Sequence, residues 1–434
     1  MALERCTSAS PDTFRTRIFG RRHLHSTAAE LPGGFGDLFS PEALDDVLSA
    51  GLRTSSIRLL RDNAEAPVAR GAAVEDGDAP GSAPFVSTDT VRAALASGHT
   101  LIIRSLQRFH PPLRRFAHQL SAELGHPVRI NAFVTPPHSQ GVDLHYDTED
   151  VLVLQITGSK SWELRTQPFT DPLPAHAWFH STDRRRDELR AASEPLTELV
   201  LREGDSLYFP RGTFHSPRTQ EELSMHLTIA IPPVTRHDLL TELVSRAVQD
   251  DAWLRATVSL DDLEEDAELA RTVLAEAAER LAASAKTTDT ADVLWAVRSG
   301  AFKSVVPEPV SVLPGPTSAP YRLRDGAVFR VTEEPDGTAL LRTGTRTARV
   351  PAAVAPVLHS LRRGPELNFG ALAEALGVLE ATEVSQALVG IGLVTPADPR
   401  AQARADVDVD VDLDVDAHQD QDQDLDADTE GVAA

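Results

Sequence analysis

His145-Tyr146-Asp147 sets an imidazole and a carboxylate two positions apart. Where a chain is extended, residues i and i+2 face the same side and can grip one ion. A third donor is available in His215, within Gly204–Pro217 (GDSLYFPRGTFHSP), where a glycine-led turn, an apolar strand and a Pro-Arg-Gly turn precede the histidine. Two histidines and one carboxylate form the facial triad of non-haem iron(II) sites, which leaves coordination positions open for a two-toothed 2-oxo acid and dioxygen. The separation of 70 residues suits ligands on distant strands of one barrel. Each piece alone is common on surfaces and in cores; the combination in its two contexts carries the reading.

Such a triad needs a rigid β scaffold, and Val128–Pro232 has the pattern of one. Short β-runs at Val128–Val134, Val151–Ile156, Ser161–Arg165, Glu198–Leu201, Ser206–Phe209 and Leu223–Ile231 alternate with turns such as Thr157-Gly158-Ser159 and Glu203-Gly204-Asp205. Many short antiparallel strands predict a small barrel or jelly roll. Residues 1–100 read as helices and loops, with helices at Pro41–Ala50 and Thr90–Ser97 and an exposed loop at Glu65–Ala83. Leu101–Ile103 reads as a strand and Pro112–Leu124 as a helix, its apolar residues spaced by three and four.

After Pro233 the helical period returns in Arg236–Gln249, Leu260–Ala282 and Ala291–Arg298, which would pack on the barrel or form a dimer interface. Proline-rich Val305–Pro320 reads as a linker. A final unit from Tyr321 combines a hairpin (Ala327–Thr332 and Ala339–Arg342 around Pro335-Asp336-Gly337) with helices at Ala352–Leu361, Phe369–Ala375 and Thr382–Ile391, the content of a winged helix. The tail alternates Asp with Val, Leu or Gln, and such dense like charge favours solvated disorder.

The charge of −23 is unevenly spread: residues 401–434 carry −11, leaving about −12 on the body. An acidic body disfavours nonspecific attraction to phosphate backbones and suits a basic protein or peptide partner. No run approaches the roughly 20 apolar residues of a membrane span. Arginine-rich Phe14–His25 could imitate a transit peptide, but Glu4 and Asp12 argue against it. One cysteine, Cys6, excludes an intrachain disulfide and a cysteine-based zinc site, which points to a reducing cytoplasm. Only Lys160, Lys286 and Lys303 are lysines, against 39 arginines, so a lysine inside a motif is informative.

The block Asn131–Leu164 and its continuation resemble the JmjC family of oxygenases, most closely the ribosomal oxygenase branch. The resemblance rests on TPPHSQG at Thr135–Gly141, HYD at 145–147, the VLVLQ strand, GSKSW at Gly158–Trp162, GDSLYFPRGTFH, and SMHLTI at Ser224–Ile229, in matching order across about 100 residues. It implies His145, Asp147 and His215 as Fe(II) ligands and Lys160 as the cation for the distal carboxylate of 2-oxoglutarate. A buried dianion needs such a charge partner in any case. The resemblance also places Asn131 and Thr228 at hydrogen-bonding positions near the cosubstrate. Phe133 departs from it, because a tyrosine is expected there. His226 reads as a packed, hydrogen-bonded core histidine, Trp162 as core, and Arg184-Arg185-Arg186 as a solvated loop.

The fold expected is therefore a mainly β core, a double-stranded β-helix of the cupin/JmjC type, with α additions. Its divisions are N-terminal elements at 1–100, the core at 101–233, a helical dimerisation segment at 234–304, a linker at 305–320, a winged helix at 321–398 and an acidic tail at 399–434. The activity implied is a dioxygenase that uses Fe(II), 2-oxoglutarate and O2 to hydroxylate a protein or peptide side chain, a ribosomal protein among the expected substrates, yielding succinate and carbon dioxide. A homodimer is expected, with neither membrane nor nucleic acid as direct partner. Two alternatives are the same chemistry on a peptide natural product or small metabolite, and a non-catalytic cupin that senses a ligand while its winged helix contacts DNA.

Overall fold

A computed structural model of the chain describes residues 1–68, 85–258, 267–303, 305, 321–344, 346–361, 364 and 366–397. The acidic tail, most of the expected linker and most of the expected loop at Glu65–Ala83 lie outside the described residues. The chain divides into two compact units, Met1–Glu308 and Pro309–Ala434, with the division inside the expected linker.

Among the described residues, eleven strands build the first unit: β1 (Leu24–Ser26), β2 (Ile57–Arg61), β3 (Ala64–Ala66), β4 (Thr100–Ile103), β5 (Arg129–Thr135), β6 (Asp150–Thr157), β7 (Lys160–Arg165), β8 (Pro195–Leu201), β9 (Ser206–Phe209), β10 (Phe214–Thr219) and β11 (Ser224–Ile231). They form an eight-stranded antiparallel sheet in the order β1-β9-β6-β11-β5-β4-β2-β3 and a three-stranded sheet β10-β7-β8. The six β-runs expected between Val128 and Pro232 are all strands, and β10 adds a seventh. Residues 1–100 are not only helices and loops, since β1, β2 and β3 come from them and extend both edges of the large sheet. β1 is three residues long and is held by long-range pairing such as Leu24 with Tyr208, while β3 is an equally short edge strand paired only with β2.

The two sheets enclose an apolar layer of Val151, Val153, Trp162, Leu164, Leu201, Leu207 and Phe209. The opposite face of the large sheet carries Leu152, Leu154 and Ile156 into a larger core with Leu113, Phe116 and Leu120. A strand covered on both faces reads as a continuous apolar run, and DVLVLQI in β6 is such a run. Between β6 and β7 the chain reverses at Gly158, whose φ is +65°; a Cβ there would fall 2.1 Å from the Leu223 carbonyl oxygen, so only glycine fits.

The helices of this unit are the single turn α1 (Pro11–Thr13), then α2 (Pro41–Ser49), α3 (Thr88–Ala96), α4 (Pro111–Leu124), α5 (Asp183–Ala192), α6 (Arg236–Asp250), α7 (Ala267–Thr287) and α8 (Thr290–Phe302). Thr235 and Asp238 close a capping box that starts α6 directly after the barrel. Among the described residues, no helix is long and apolar enough to cross a membrane.

The second unit has its own core around Tyr321, Leu341, Leu358, Leu372 and Leu388. It holds two three-stranded sheets, β16-β12-β17 and β13-β14-β15, from β12 (Tyr321–Leu323), β13 (Phe329–Glu333), β14 (Thr338–Thr343), β15 (Thr347–Pro351), β16 (Glu366–Leu367) and β17 (Val394–Pro396). Its helices are α9 (Ala355–Ser360), α10 (Phe369–Leu376) and α11 (Val378–Gly390). The expected hairpin thus supplies two strands, β13 and β14, of a three-stranded sheet.

Candidate metal centre

His145 and His215 are brought together by the backbone. The His215 N–H donates to the His145 carbonyl at 2.8 Å and the His145 N–H returns the bond at 3.2 Å, so the two residues form an isolated antiparallel bridge at the end of β10. Their ring centroids are 4.3 Å apart. Asp147 follows two residues after His145 and is anchored from the other side, because the Gly212 N–H donates to its carbonyl oxygen at 2.8 Å. Gly212 has φ +80° and lies so close to the Phe169 carbonyl that a Cβ would sit 3.0 Å from it. One ligand atom from each of His145, Asp147 and His215 lies within 4.8 Å of the others, and among the described residues this is the one such cluster.

The ring orientations suit a metal. The Nδ1–H of His145 donates to the Asp143 carbonyl at 2.7 Å, and that of His215 to the Thr213 carbonyl at 3.0 Å. Each bond assigns the proton to Nδ1 and leaves Nε2 as the free donor, the arrangement that orients metal-bound histidines. Burial, reinforced by the neighbouring His145, pushes His215 down to about 4, so its Nε2 lone pair is present at neutral pH. Asp147 Oδ2 is 3.6 Å from His215 Nε2 and its side chain is 40 % exposed, so this edge of the triad opens to solvent.

Inside the barrel, β5 and β11 face each other residue by residue: Asn131 opposes Thr228, Phe133 opposes His226 and Thr135 opposes Ser224. From the small sheet, β7 contributes its alternate buried face, Lys160, Trp162 and Leu164. Lys160 is 2 % exposed, and its ammonium donates to Thr135 Oγ1 at 2.9 Å. Among the described residues it has no carboxylate partner, and burial pushes its pKa down to about 7. Asn131 and Thr228 are half-buried on strands lining the same interior, and Asn131 Oδ1 accepts from the Ser105 N–H at 2.9 Å. All six residues expected from the sequence thus gather at one barrel.

His226 corrects its expectation in part. It is packed, with its ring stacked on Phe133 at 4.9 Å and 8°, but its Nδ1 is buried without a hydrogen-bond partner. Trp162 belongs to the core as expected, yet its indole Nε1 is also buried and unpartnered. An orphaned polar group of this kind costs about 1–3 kcal/mol. The Arg184–Arg186 run is not a loop but part of α5. Thr182 caps that helix, and the pairs Arg184–Glu188 and Asp183–Arg186 line its surface.

Sequence reading missed Thr135 as the partner of Lys160, although it opens the TPPHSQG run. It also missed Phe179, which is 58 % exposed with its ring 6.1 Å from that of His145. Phe179 lines a cavity of about 420 Å³ together with Asp143, Trp178, Arg186, Asp187 and Arg190. Its position in the insertion between β7 and β8 gave no periodic signal.

With this geometry in place, comparison with known proteins gives the class: residues 103–239 match the JmjC domain. The relatives are more particular. The chain is 37% identical over 164 residues to ribosomal oxygenase 2 of Bos taurus, covering 37% of this chain and 33% of that protein. It is 31% identical over 156 residues to the bifunctional lysine-specific demethylase and histidyl-hydroxylase NO66 of Drosophila mojavensis, covering 36% of this chain and 17% of that one. The chain therefore spans a third or less of the length of these relatives. In fold it is similar to YcfD, a ribosomal oxygenase from Escherichia coli, with a TM-score of 0.54 at 16% identity over 90% of this chain and 99% of that one. YcfD has also been solved in complex with cobalt and 2-oxoglutarate, and that structure aligns with a TM-score of 0.53 at 15% identity.

Proposed function

We propose that this chain is an Fe(II)- and 2-oxoglutarate-dependent dioxygenase that hydroxylates a protein or peptide side chain, a ribosomal protein among the candidates. One observation carries the reading: a His-Asp-His cluster stands at a barrel whose interior holds a buried lysine without an anionic partner. The ligand roles of His145, Asp147 and His215, and the cosubstrate roles of Lys160, Asn131 and Thr228, belong to this proposal.

The residues present fit both groups. Two imidazole nitrogens and one carboxylate oxygen are the donor set of non-haem iron, with positions left open. The buried ammonium of Lys160 and the unpartnered nitrogens of Trp162 and His226 fit an anionic ligand that enters the barrel. An iron(II) ion held by His145, Asp147 and His215 would supply the redox chemistry that couples oxidative decarboxylation of 2-oxoglutarate by dioxygen to insertion of one oxygen atom into a C–H bond.

The chain's own residues orient and protect these groups. Asp143 and Thr213 lock the ligand histidines through their carbonyls. Thr135 holds Lys160 toward the interior, and the opposed pair Asn131 and Thr228 supplies hydrogen bonds of fixed register. Val151, Val153, Leu207 and Phe209 wall the interior with apolar surface that keeps water out. Phe179 and the cavity beside it form the mouth through which a substrate side chain would approach His145.

The segment 234–304 is proposed as a dimerisation segment, supported by the exposed Leu240, Val244, Leu274 and Leu294 on its helices. The unit at 321–398 is proposed as a winged helix, supported by its three helices and small antiparallel sheets. A single buried cysteine supports the cytoplasm as the place of action.

Purified protein supplied with iron(II), ascorbate and oxygen should convert 2-oxoglutarate to succinate, and the His145→Ala protein should not. A basic peptide that accepts one oxygen atom, detected by mass spectrometry, would then identify the substrate.

A further inference from the structure

Three buried side-chain atoms in the barrel interior have no hydrogen-bond partner: Gln155 Oε1, Trp162 Nε1 and His226 Nδ1. Buried polar atoms are nearly always paired, so three in one enclosed space point to a missing ligand. Gln155 Oε1 is an acceptor and offers nothing to a carboxylate. The two ring nitrogens can each donate an N–H.

Their placement is specific. His226 is 1 % exposed, and its ring is held flat against Phe133 at 4.9 Å, which fixes the imidazole plane. The Trp162 ring meets His226 edge-on at 5.6 Å and lies 6.2 Å from the ring of His215. Trp162 also shares the inward face of β7 with Lys160, two residues earlier. The indole therefore has the ring of His215 on one side and, two residues along the same strand face, the buried ammonium of Lys160.

We infer that His226 and Trp162 bind the carboxylate of 2-oxoglutarate that pairs with Lys160, each as an N–H donor, through Nδ1 and Nε1. This rests on the oxygenase reading above. Burial and the nearby Lys160 charge keep the His226 imidazole neutral, so donation requires the tautomer protonated at Nδ1. Lys160 supplies the charge and the two rings supply direction, which lets the site distinguish a dicarboxylic 2-oxo acid from a monocarboxylic one.

The test is calorimetric binding to the full chain loaded with manganese(II), using 2-oxoglutarate and 2-oxobutyrate, which lacks the distal carboxylate. His226→Phe keeps a flat ring against Phe133 and removes both nitrogens; Trp162→Phe removes the indole N–H. Each substitution should weaken 2-oxoglutarate about tenfold and leave 2-oxobutyrate within about twofold, the loss expected for one charge-assisted hydrogen bond. In the unsubstituted protein, the indole N–H proton resonance that Trp162→Phe deletes should shift downfield with 2-oxoglutarate and stay in place with 2-oxobutyrate. Unchanged 2-oxoglutarate affinity in both variants, or equal weakening of the two acids, would overturn the inference. If the unsubstituted protein binds neither manganese nor 2-oxoglutarate, the oxygenase reading itself has failed.

Discussion

The two ends of the barrel differ in how completely their polar groups are paired. At the proposed metal end, the Nδ1–H of His145 and that of His215 each donate to a backbone carbonyl and the Asp147 backbone accepts from Gly212. In the interior, Lys160 has one neutral partner, Thr135, while Trp162 and His226 each bury an unpartnered nitrogen. The metal end is thus built to be rigid before anything binds. The interior is electrostatically incomplete, which the proposed binding of an anionic cosubstrate would remedy. On the proposed reading, the chain tolerates local instability where a cosubstrate would complete the network, and the apolar layer and covered sheet around it hold the shape meanwhile.

The sharpest way to break this contrast is to remove a metal ligand. Asp147→Ala should weaken iron binding by more than about 100-fold, measured by metal titration, because three donors already form a minimal set. Lys160→Met should have the opposite character at the other end. It should abolish saturable 2-oxoglutarate binding yet raise the stability of the ligand-free protein by about 1–3 kcal/mol in denaturant unfolding, since it removes an unpaired buried charge. A Lys160→Met protein less stable than the parent would show that the interior is already complete.

A pH titration sharpens the same point. Burial lowers Lys160 to about 7 in the ligand-free protein, and a bound dianion would raise it. Below pH 7 the lysine is already charged and affinity should be flat. Above pH 7 binding must take up a proton, so the dissociation constant for 2-oxoglutarate should rise by up to about tenfold per pH unit. Calorimetry in buffers of different ionisation enthalpy would count that proton. Smallest, Asn131→Ala and Thr228→Val should each cost about 1 kcal/mol of 2-oxoglutarate affinity, the worth of one neutral hydrogen bond.

Much of the centre was legible in the sequence, and for a physical reason. Ligands at i and i+2 of an extended segment, a glycine-led return strand and alternating β-runs are local patterns. What escaped was decided by distant contacts. β1 exists because Leu24–Ser26 pairs with Ser206–Tyr208, and three residues carry too little pattern to announce a strand. Thr135 is marked as important only by Lys160, 25 residues away in sequence and adjacent in the barrel. α5 was hidden because an arginine run reads as solvated until Thr182 and Glu188 are seen to cap and pair it. The lone lysine in the GSKSW motif, by contrast, stood out against a background of arginine and proved to be buried.

The most direct test of the account is succinate formation from 2-oxoglutarate by the purified chain with iron(II), ascorbate and oxygen, run beside His145→Ala and Lys160→Met. The account predicts slow turnover by the parent without substrate, none with His145→Ala, and none with Lys160→Met at 2-oxoglutarate concentrations that saturate the parent. Equal turnover in all three, or no iron and 2-oxoglutarate binding by the parent, would contradict it.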